Sequence, residues 1–350
     1  MLSKPILRLP QCLGFAAAIL LILPASSVAK HADKSHETKA ALPANAPAVL
    51  WRDPGDIASR NLYYGPGGEN DAPHTTYTFE KEDLNGTNPK FDVRDENGVK
   101  WRVKMGVEAR PEVVATRLVW AVGYYANEDY FLSEMHVENM PHLKRGQNLV
   151  GPDGTVHNVR LKRYLKDEKK IGDWQWRDNP FERQRELNGL RVMMALMNNW
   201  DLKDSNNAVY QEGKKDVSNA ELRYEVSDLG ASFGTTGLNW SQSRCKGNLK
   251  SYEHSNFVRK VTPEYVDLTV PSRPALVFMF FRPGEFKRRM DLRWIGKDIP
   301  RSDARWIGGL LAQLSAQQLR DAFRAAGYSA EEVEAFAEVV QERIAELNKL

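Results

Sequence analysis

The sequence contains few cysteines and few histidines. Its 350 residues include two cysteines, and Cys12 lies in an N-terminal segment that we expect to be removed, which leaves Cys245 alone. A single cysteine excludes an internal disulfide, so the fold depends on its hydrophobic core. The seven histidines are scattered, without an H-E-x-x-H motif or paired cysteines, and a zinc enzyme is therefore the least favoured function class.

The apolar run near the N-terminus is too short to span a membrane comfortably. It extends from Leu13 to Leu23, whereas a spanning helix needs about 20 apolar residues. Lys4 and Arg8 precede the run, and Ser27-Val-Ala29 supplies the small residues that a signal peptidase requires. The pattern predicts a secretory signal peptide over residues 1–29, and thus an exported, bacterial-type protein that is secreted or periplasmic. An uncleaved membrane anchor is the less favoured alternative.

Little net charge is left after that cleavage. Residues 1–29 contain two of the 49 basic side chains and none of the 46 acidic ones, so the rest of the chain carries a net charge of +1. This charge gives no reason to expect nucleic acid as a partner. Residues 30–48, rich in Lys, His, Ala, Ser and Pro, have little to bury and are interpreted as a flexible linker. Residues 49–350 are enough for one large domain or for two lobes.

Closely spaced Asp and Asn residues follow a predicted helix in the middle of the chain. Asp201 precedes Asn206 by five residues, and an apolar run ending at Tyr210 comes next. A second apolar run, Tyr224 to Val226, leads into Asp228-Leu-Gly230. The order predicts a loop carrying Asp and Asn, a β-hairpin, and a second carboxylate at the end of the hairpin. Phosphoryl transfer from a nucleotide uses such a set, because one carboxylate orients the attacking hydroxyl while a carboxamide and a second carboxylate hold magnesium.

These residues resemble two motifs of the protein-kinase-like superfamily, the H-R-D-L-x-x-x-N loop and D-F-G. Asn199-Trp-Asp-Leu-Lys-Asp-Ser-Asn206 keeps the Asp-to-Asn spacing but has Asn-Trp in place of His-Arg. The pattern is more similar to atypical branches, such as the phosphoinositide kinases and the secretory-pathway kinases, than to ordinary eukaryotic-type kinases. The resemblance covers about residues 84–235. The resemblance implies catalytic roles for Asp201 and Lys203, metal ligation by Asn206 and Asp228, and use of ATP with Mg²⁺ or Mn²⁺.

Residues 77–105 have the pattern of β-strands joined by turns. Asn97-Gly98 is a strong hairpin signal, and apolar and basic side chains alternate after it. By the same resemblance, Lys104 would contact the nucleotide phosphates, with Lys100 and Arg102 as the reserve candidates. A solvated strand lysine is the alternative. Gly86, in the turn Leu84-Asn-Gly-Thr-Asn88, would let the backbone approach a phosphate.

A helix is predicted from Pro111, and the resemblance makes Glu112 the partner that holds Lys104 in place. Glu108 is the other candidate partner of Lys104, and Glu112 has the alternative role of complementing the helix dipole. A strand from Tyr130 to Val137 is expected to lead into a hinge. The implied fold is α+β and two-lobed, with a small β-rich N-lobe over about 77–137 and a larger helical C-lobe over about 138–350.

The C-terminal half has helical signals throughout. Residues 182–197 repeat apolar side chains at spacings of three and four, which predicts a helix ending just before Asp201. Two capping boxes, beginning at Ser315 and Ser329, predict further helices. Basic residues outnumber acidic ones from residue 281 to 301, and we favour a solvated basic face over a site for phosphate or an acidic substrate. These basic residues are Arg282, Lys287, Arg288, Arg289, Arg293, Lys297 and Arg301.

The favoured function is an exported phosphotransferase that uses Mg-ATP to phosphorylate a hydroxyl acceptor, which is a protein, lipid headgroup, sugar or small molecule. Its partners are then a nucleotide and that acceptor. A catalytically inactive pseudokinase that serves as a binding module is the alternative, and adenylyl transfer is left open. A serine hydrolase is a lower alternative, because Gly230-Ala-Ser-Phe-Gly234 matches G-x-S-x-G around Ser232. The only later histidine is His254, and no Asp lies between it and Ser232.

Overall fold

The computed structural model describes residues 46–86, 88–212, 221–235, 245–270, 279–280 and 283–350. The expected signal peptide, most of the expected linker and Thr87 of the glycine turn lie outside these residues.

The strands of the described residues are β1 (Ala48–Val49), β2 (Tyr77–Asp83), β3 (Lys90–Asp95), β4 (Lys100–Lys104), β5 (Asp129–Glu138), β6 (Thr155–Arg163), β7 (Glu168–Gly172), β8 (Asn207–Glu212), β9 (Leu222–Val226), β10 (Val258–Val261), β11 (Tyr265–Leu268) and β12 (Ile299–Pro300). The α-helices are α1 (Ala109–Ala121), α2 (Arg185–Leu196), α3 (Leu249–Glu253), α4 (Pro283–Asp291), α5 (Arg301–Leu311), α6 (Ala316–Arg324) and α7 (Ala330–Asn348). Short 3₁₀ segments occupy Ile57–Ser59, Gln147–Leu149, Asp204–Asn206 and Leu292–Gly296.

A closed barrel is formed by β2, β3, β4, β6 and β5, in that spatial order. Apolar and polar side chains alternate along these strands, so one set faces the barrel interior, where Phe91, Val93, Trp101 and Val103 are buried. The predicted hairpin joins β3 to β4. Gly98 adopts a φ of +77°, and its N–H donates to the carbonyl of Asp95 at 2.9 Å. The strands predicted over residues 77–105 are therefore confirmed.

The β-rich region continues beyond residue 137, where the sequence placed the end of the N-lobe. β5 turns back into β6, which lies between β4 and β5 and closes the barrel. The expected hinge region therefore lies inside the barrel, with Met135 and Val137 buried on β5. The connection between β5 and β6 is long, and the turn signal in it, Gly151-Pro-Asp-Gly154, directly precedes β6 rather than joining two adjacent strands. The β-rich region extends to Arg163 at the end of β6.

A second sheet has the order β1, β9, β8 and β7. The predicted hairpin of β8 and β9 is present, with Asn207 opposite Val226. β1 runs parallel to β9, and the carbonyl of Pro47 accepts the N–H of Leu222 at 2.8 Å. The chain is thus in regular structure at Ala48, where the sequence had suggested that a flexible linker still continues. A third, smaller sheet contains β10, β11 and β12.

Helices make up most of the C-terminal part. α2 is buried along nearly its whole length and packs against α5, and α7 packs against α5 and α6. Both predicted capping boxes are present, at Ser315 with Gln318 and at Ser329 with Glu332. The α+β class, with a β-rich N-terminal region and a helical C-terminal region, is confirmed. No helix within the described ranges has the length and apolar character needed to cross a membrane.

Candidate active site

Lys104 lies at the end of β4, with its side chain buried between three carboxylates. Its Nζ lies 2.8 Å from Glu112 Oε2, 3.3 Å from Glu108 Oε2 and 3.2 Å from Asp228 Oδ1. Burial lowers the pKa of Lys104, but the three carboxylates outweigh that effect and raise the pKa above its ordinary value. The structure therefore brings together Lys104 with both helix carboxylates that the sequence had offered as partners, and with the carboxylate that ends the hairpin.

Glu112 has a second cationic partner. Its Oε1 accepts a hydrogen bond from Arg160 Nη2 at 2.8 Å, and Arg160 Nη1 lies 3.6 Å from Asp129 Oδ1. The side chains of Glu112 and Asp129 are both fully buried. A buried charge is tolerated only when it is paired, so this network fixes α1 against β4 and β6. Glu112 links the two strands through one carboxylate.

Lys246 belongs to this network and was missed by the sequence analysis. Its Nζ donates to Glu108 Oε1, and the side chain is almost fully buried. The amide of Asn88, from the predicted glycine turn, donates to the other oxygen of Glu108. Burial opposes ionisation of Glu108, but Lys104 and Lys246 lower its pKa. No motif in the sequence marks Lys246, which comes 18 residues after Asp228.

Asn206 and Asp228 are held side by side by their backbones. The carbonyl of Asn206 accepts the N–H groups of Ser227 at 2.9 Å and of Asp228 at 3.3 Å. The Asn206 amide donates to the carbonyl of Asp201 at 2.5 Å, and its Oδ1 accepts no hydrogen bond from the residues that the structure describes. The Asp228 side chain is 41% exposed. Burial opposes its ionisation, yet the Lys104 ammonium outweighs this and lowers the pKa of Asp228 to about 2.

The donor set at Asn206 and Asp228 fits a magnesium ion bound together with a nucleotide. Mg²⁺ takes one or two protein carboxylates and completes its shell with phosphate and water oxygens. No group of three or more His, Cys, Asp or Glu side chains that could hold a metal ion is found in the described part of the chain. Phosphate and water oxygens would therefore have to complete the coordination of an ion at Asn206 and Asp228. The contacts of Asp228 among these residues involve Oδ1, and Oδ2 and the Asn206 carboxamide oxygen are available to an ion.

Asp201 lies between two cations. Its Oδ1 is 3.2 Å from Lys203 Nζ and 3.4 Å from Arg289 Nη1. Arg289 comes from α4, and its guanidinium lies over the ring of Trp200, with 5.0 Å between the guanidinium carbon and the ring centroid. The Arg289 side chain is only 12% exposed. The interpretation of the basic stretch over 281–301 as a solvated face therefore does not hold for Arg289.

The approach to Asp201 is fixed by a residue near the C-terminus. Arg343, buried on α7, donates to the carbonyl of Leu196 at 2.8 Å and to Asn198 Oδ1 at 2.9 Å. Asn198 has a φ of +54°, and its amide also donates to Ser255 Oγ at 2.8 Å. Arg343 thus satisfies a carbonyl at the end of α2 and holds the turn that leads to Asp201.

Gly86 lies in the predicted turn between β2 and β3, with a φ of +70°. Its carbonyl accepts a hydrogen bond from Arg145 Nη1 at 2.5 Å. A Cβ at this position would lie 3.7 Å from Lys90 Nζ, which is an ordinary contact. Asn88 connects this turn to Glu108, and no contact of Gly86 itself with the Lys104 group is found among the described residues.

Ser232 does not have the geometry of a hydrolase nucleophile. The residue is fully buried, and its Oγ makes no hydrogen bond within the described part of the chain. His254 is exposed, and its Nδ1 lies 2.8 Å from the carbonyl of Lys250. A nucleophilic serine must be accessible and hydrogen-bonded to its base, so the structure counts against this alternative. The following residues, 236–244, lie outside the described ranges.

Comparison with known proteins gives weak similarities. No protein-family model matches the chain, and no curated protein sequence matches it. The chain is similar to the Helicobacter pylori proinflammatory kinase CtkA, with 10% identity over 79% of this chain and 98% of that one, at a TM-score of 0.44. It is also similar to the Golgi casein kinase, with 10% identity over 79% and 73% of the two chains, at a TM-score of 0.34. A Rio2 kinase from Chaetomium thermophilum gives 11% identity over 77% and 72%, at a TM-score of 0.28. These similarities are too low to assign an activity, which depends on the site geometry above.

Proposed function

We propose that the protein is an atypical kinase-like phosphotransferase that transfers a phosphoryl group from Mg-ATP to a hydroxyl acceptor. The observation that carries this proposal is the position of Lys104. One buried ammonium lies within 3.3 Å of Glu112, Glu108 and Asp228, and Asp228 is held beside Asn206 by the backbone. A lysine fixed by a helix carboxylate beside a metal-binding carboxylate is what phosphate binding and charge neutralisation require.

Each residue of the site has a role in this proposal. When bound, Mg-ATP would supply the phosphoryl group and the cation that neutralises its charge. Lys104 contacts the phosphates, and Glu112 keeps its ammonium in place. Asn206 and Asp228 would hold the metal ion, Mg²⁺ or Mn²⁺. The remaining candidate, Gly86, allows the turn between β2 and β3 to approach the phosphates.

Asp201 and Lys203 act on the acceptor side. Asp201 orients the attacking hydroxyl and takes its proton. The hydroxyl oxygen forms a bond to the terminal phosphorus of ATP, and the bond between that phosphorus and the leaving ADP breaks. Lys203, 3.2 Å from Asp201, offsets negative charge at the same point. The acceptor is a protein, lipid headgroup, sugar or small molecule that carries a hydroxyl group, and nucleic acid is not among the proposed partners.

Export is proposed from the sequence alone. The signal-peptide pattern over residues 1–29 supports a secreted or periplasmic location, and the retained anchor is the other possibility. The same segment defines the proposed domain organisation, in which the kinase-like region begins near residue 49.

A catalytically inactive binding module is the second candidate, because Asp201 is paired with Arg289. The guanidinium lies 3.4 Å from the carboxylate that would accept the proton, and it packs on the neighbouring Trp200. An acceptor hydroxyl has to reach the same carboxylate. If Arg289 holds Asp201 permanently, nucleotide binds but no phosphoryl transfer follows.

Nucleotide binding tests the proposal first. Thermal unfolding of the protein is followed with ATP, with and without Mg²⁺ or Mn²⁺, for the wild type and Asp228→Ala. A ligand at 100 times its dissociation constant stabilises a protein by about 2.7 kcal/mol. We expect a metal-dependent stabilisation in the wild type that is lost in Asp228→Ala and kept in Asp153→Ala, an exposed aspartate before β6. Stabilisation that is equal in all three proteins contradicts the assignment of Asp228.

Arg289→Gln separates the two candidates. ATP turnover and self-phosphorylation are measured for the wild type and the variant, together with Asp201→Asn. Activity in the wild type that is lost in Asp201→Asn supports the enzyme. Activity that is present only in Arg289→Gln shows that the Arg289 contact holds the site inactive. Nucleotide binding without turnover in any of the three proteins supports the binding module.

A further inference from the structure

The turn between β2 and β3 is held by one arginine from another part of the chain. Arg145 lies in the connection between β5 and β6. Its Nη1 donates to the carbonyl of Gly86 at 2.5 Å, and its Nη2 donates to the carbonyls of Asp83 at 2.9 Å and of Asn85 at 3.2 Å. One guanidinium thus binds three carbonyls of the same turn, and none of the roles proposed above uses these contacts.

The connection that carries Arg145 is anchored on the same strands. Glu82, near the end of β2, accepts the backbone N–H of Lys144 at 3.0 Å and that of Arg145 at 2.9 Å, each with a different carboxylate oxygen. Gly146 has a φ of +74° and lies so close to Pro89 that an added Cβ would be 2.5 Å from the proline Cβ. The turn and the connection therefore hold each other in one arrangement.

This turn lies beside the carboxylates that surround Lys104. Lys90 is directly opposite Lys104 in the pairing of β3 with β4, and an added Cβ at Gly86 would lie 3.7 Å from Lys90 Nζ. At the other end of the turn, the Asn88 amide donates to Glu108, which is one of the carboxylates in contact with Lys104. The backbone of the turn is therefore next to the position where the nucleotide phosphates would bind.

The contacts of Arg145 also determine where an N–H group of the turn points. A trans peptide group has its C=O and N–H on opposite sides, and no cis peptide bond occurs in the described ranges. Because Arg145 binds the carbonyl of Asn85, the N–H of Gly86 points away from the guanidinium. Among the described residues, this N–H donates to no other group. A cation on the carbonyl polarises the peptide group, so the same N–H becomes a stronger donor to an anionic oxygen.

We propose that Arg145 is a positioning residue of the nucleotide site, which fixes the β2–β3 turn so that the N–H of Gly86 is presented to a phosphate of the bound nucleotide. This inference rests on the proposed function, because it requires a nucleotide at Lys104. Arg145 acts through the turn and does not touch the ligand. A flexible turn loses conformational entropy when it closes over a ligand, and the three hydrogen bonds of Arg145 reduce that loss because the turn is already ordered.

The test compares Mg-ATP with adenosine, which has the same base and sugar but no phosphate. Binding of Mg-ATP to the full protein is measured by isothermal titration calorimetry, and binding of adenosine is measured by proton NMR. We expect Arg145→Met to weaken Mg-ATP binding by roughly tenfold, because the ligand then has to order the turn, and to leave adenosine binding unchanged. Lys144→Met, at the exposed neighbouring lysine, is the matched control and should bind both ligands as the wild type does.

Two further variants separate positioning from charge. Arg145→Lys keeps the positive charge but lacks the planar fork that reaches several carbonyls, so it should weaken Mg-ATP binding as Arg145→Met does. Gly146→Ala should also weaken Mg-ATP binding, because the added methyl would clash with Pro89 and displace the connection from the turn. Gly98→Ala is its control, since Gly98 has a φ of +77° with open space around it, and Mg-ATP binding should be unchanged.

Four outcomes would overturn the proposal. Wild-type affinity for Mg-ATP in Arg145→Lys, with weak binding in Arg145→Met, would show that charge matters and the hydrogen bonds do not. A parallel loss of Mg-ATP and adenosine binding in Arg145→Met would show a general disruption of the site. If the wild type binds Mg-ATP and both Arg145 variants bind it equally well, this inference fails and the proposed function is retained. A wild-type protein that is folded by circular dichroism and binds no nucleotide removes the proposed function, and the role of Arg145 with it.

Discussion

Replacing Lys104 by Met should lower the free energy of unfolding, because it leaves three carboxylates with one cation fewer. Removing one partner of a buried ion pair costs about 3–5 kcal/mol when the remaining charge is unpaired. Here Glu112 keeps Arg160, and Glu108 keeps Lys246. Asp228 keeps no cation within 4 Å among the described residues, but its side chain is 41% exposed. We therefore expect a loss of about 1–3 kcal/mol at pH 7, below the cost of an unpaired buried charge.

Part of this loss should depend on pH in a definite direction. The pKa of Asp228 falls from 3.8 to about 2 in the folded protein against the effect of burial, chiefly because of Lys104, with Arg160 and the Gly230 N–H adding to the effect. That shift corresponds to about 2.4 kcal/mol, which screening of the exposed carboxylate reduces to about 1 kcal/mol. A carboxyl whose folded pKa is depressed contributes stability above its unfolded pKa and loses it as pH falls through the folded value. The difference between wild type and Lys104→Met should therefore shrink as pH falls from about 4 towards 2.

Urea unfolding at pH 7 and at pH 3 measures both effects. Lys81→Met is the control, since Lys81 also approaches a buried carboxylate, at 3.6 Å from Asp92, but its own side chain is 60% exposed. Its replacement should cost no more than about 1 kcal/mol. A Lys104→Met protein as stable as the wild type at pH 7 would refute the view that this lysine is needed to pair the surrounding carboxylates. A difference that grows at pH 3 would refute the assignment of the pH dependence to Asp228.

Two other predictions concern single positions. Gly327→Ala should destabilise the protein by more than about 2 kcal/mol in thermal or urea unfolding, because its φ is +72° and the added methyl would clash with Phe131. Gly98→Ala, at a φ of +77° with open space around it, should cost only about 1 kcal/mol, so equal losses would show that the clash does not matter. A fluorophosphonate probe should leave the folded protein unlabelled, because Ser232 is buried, and labelling there would revive the hydrolase alternative.

The residues brought together at the site were visible in the sequence because their motifs are local. Asp201 and Asn206 lie on one loop, and Asp228 ends the hairpin that follows, so spacing alone placed them near one another. Lys104 and Glu112 were proposed through the resemblance to kinase motifs, on a predicted strand and at the start of a predicted helix. Sequence spacing could not distinguish Glu108 from Glu112 as the partner of Lys104. In the structure both carboxylates contact Lys104.

Other parts of the site depend on contacts between residues far apart in sequence. Lys246 reaches Glu108 and Arg289 reaches Asp201 only after the helical region has folded, and neither lies in a recognisable motif. A basic stretch around Arg289 resembles any solvated helix face in composition. β6 was missed because a long loop separates it from β5, although β5 and β6 pair over much of their length. Pairing across such a loop is determined by barrel closure, which a local pattern does not express.

The short strand β1 has a consequence for any truncated form of the protein. β1 covers the outer edge of β9, the strand that leads to Asp228, and it does so through Ala48 and Val49 alone. Removal of these residues would leave the row of N–H and C=O groups on β9 open to another chain, as uncapped edge strands tend to be. Self-association would then begin at Leu222 and Arg223, on the strand that leads to Asp228. Ala48 and Val49, at the end of the predicted linker, therefore protect this strand edge from pairing with another chain, although the sequence alone indicated only a spacer at Ala48.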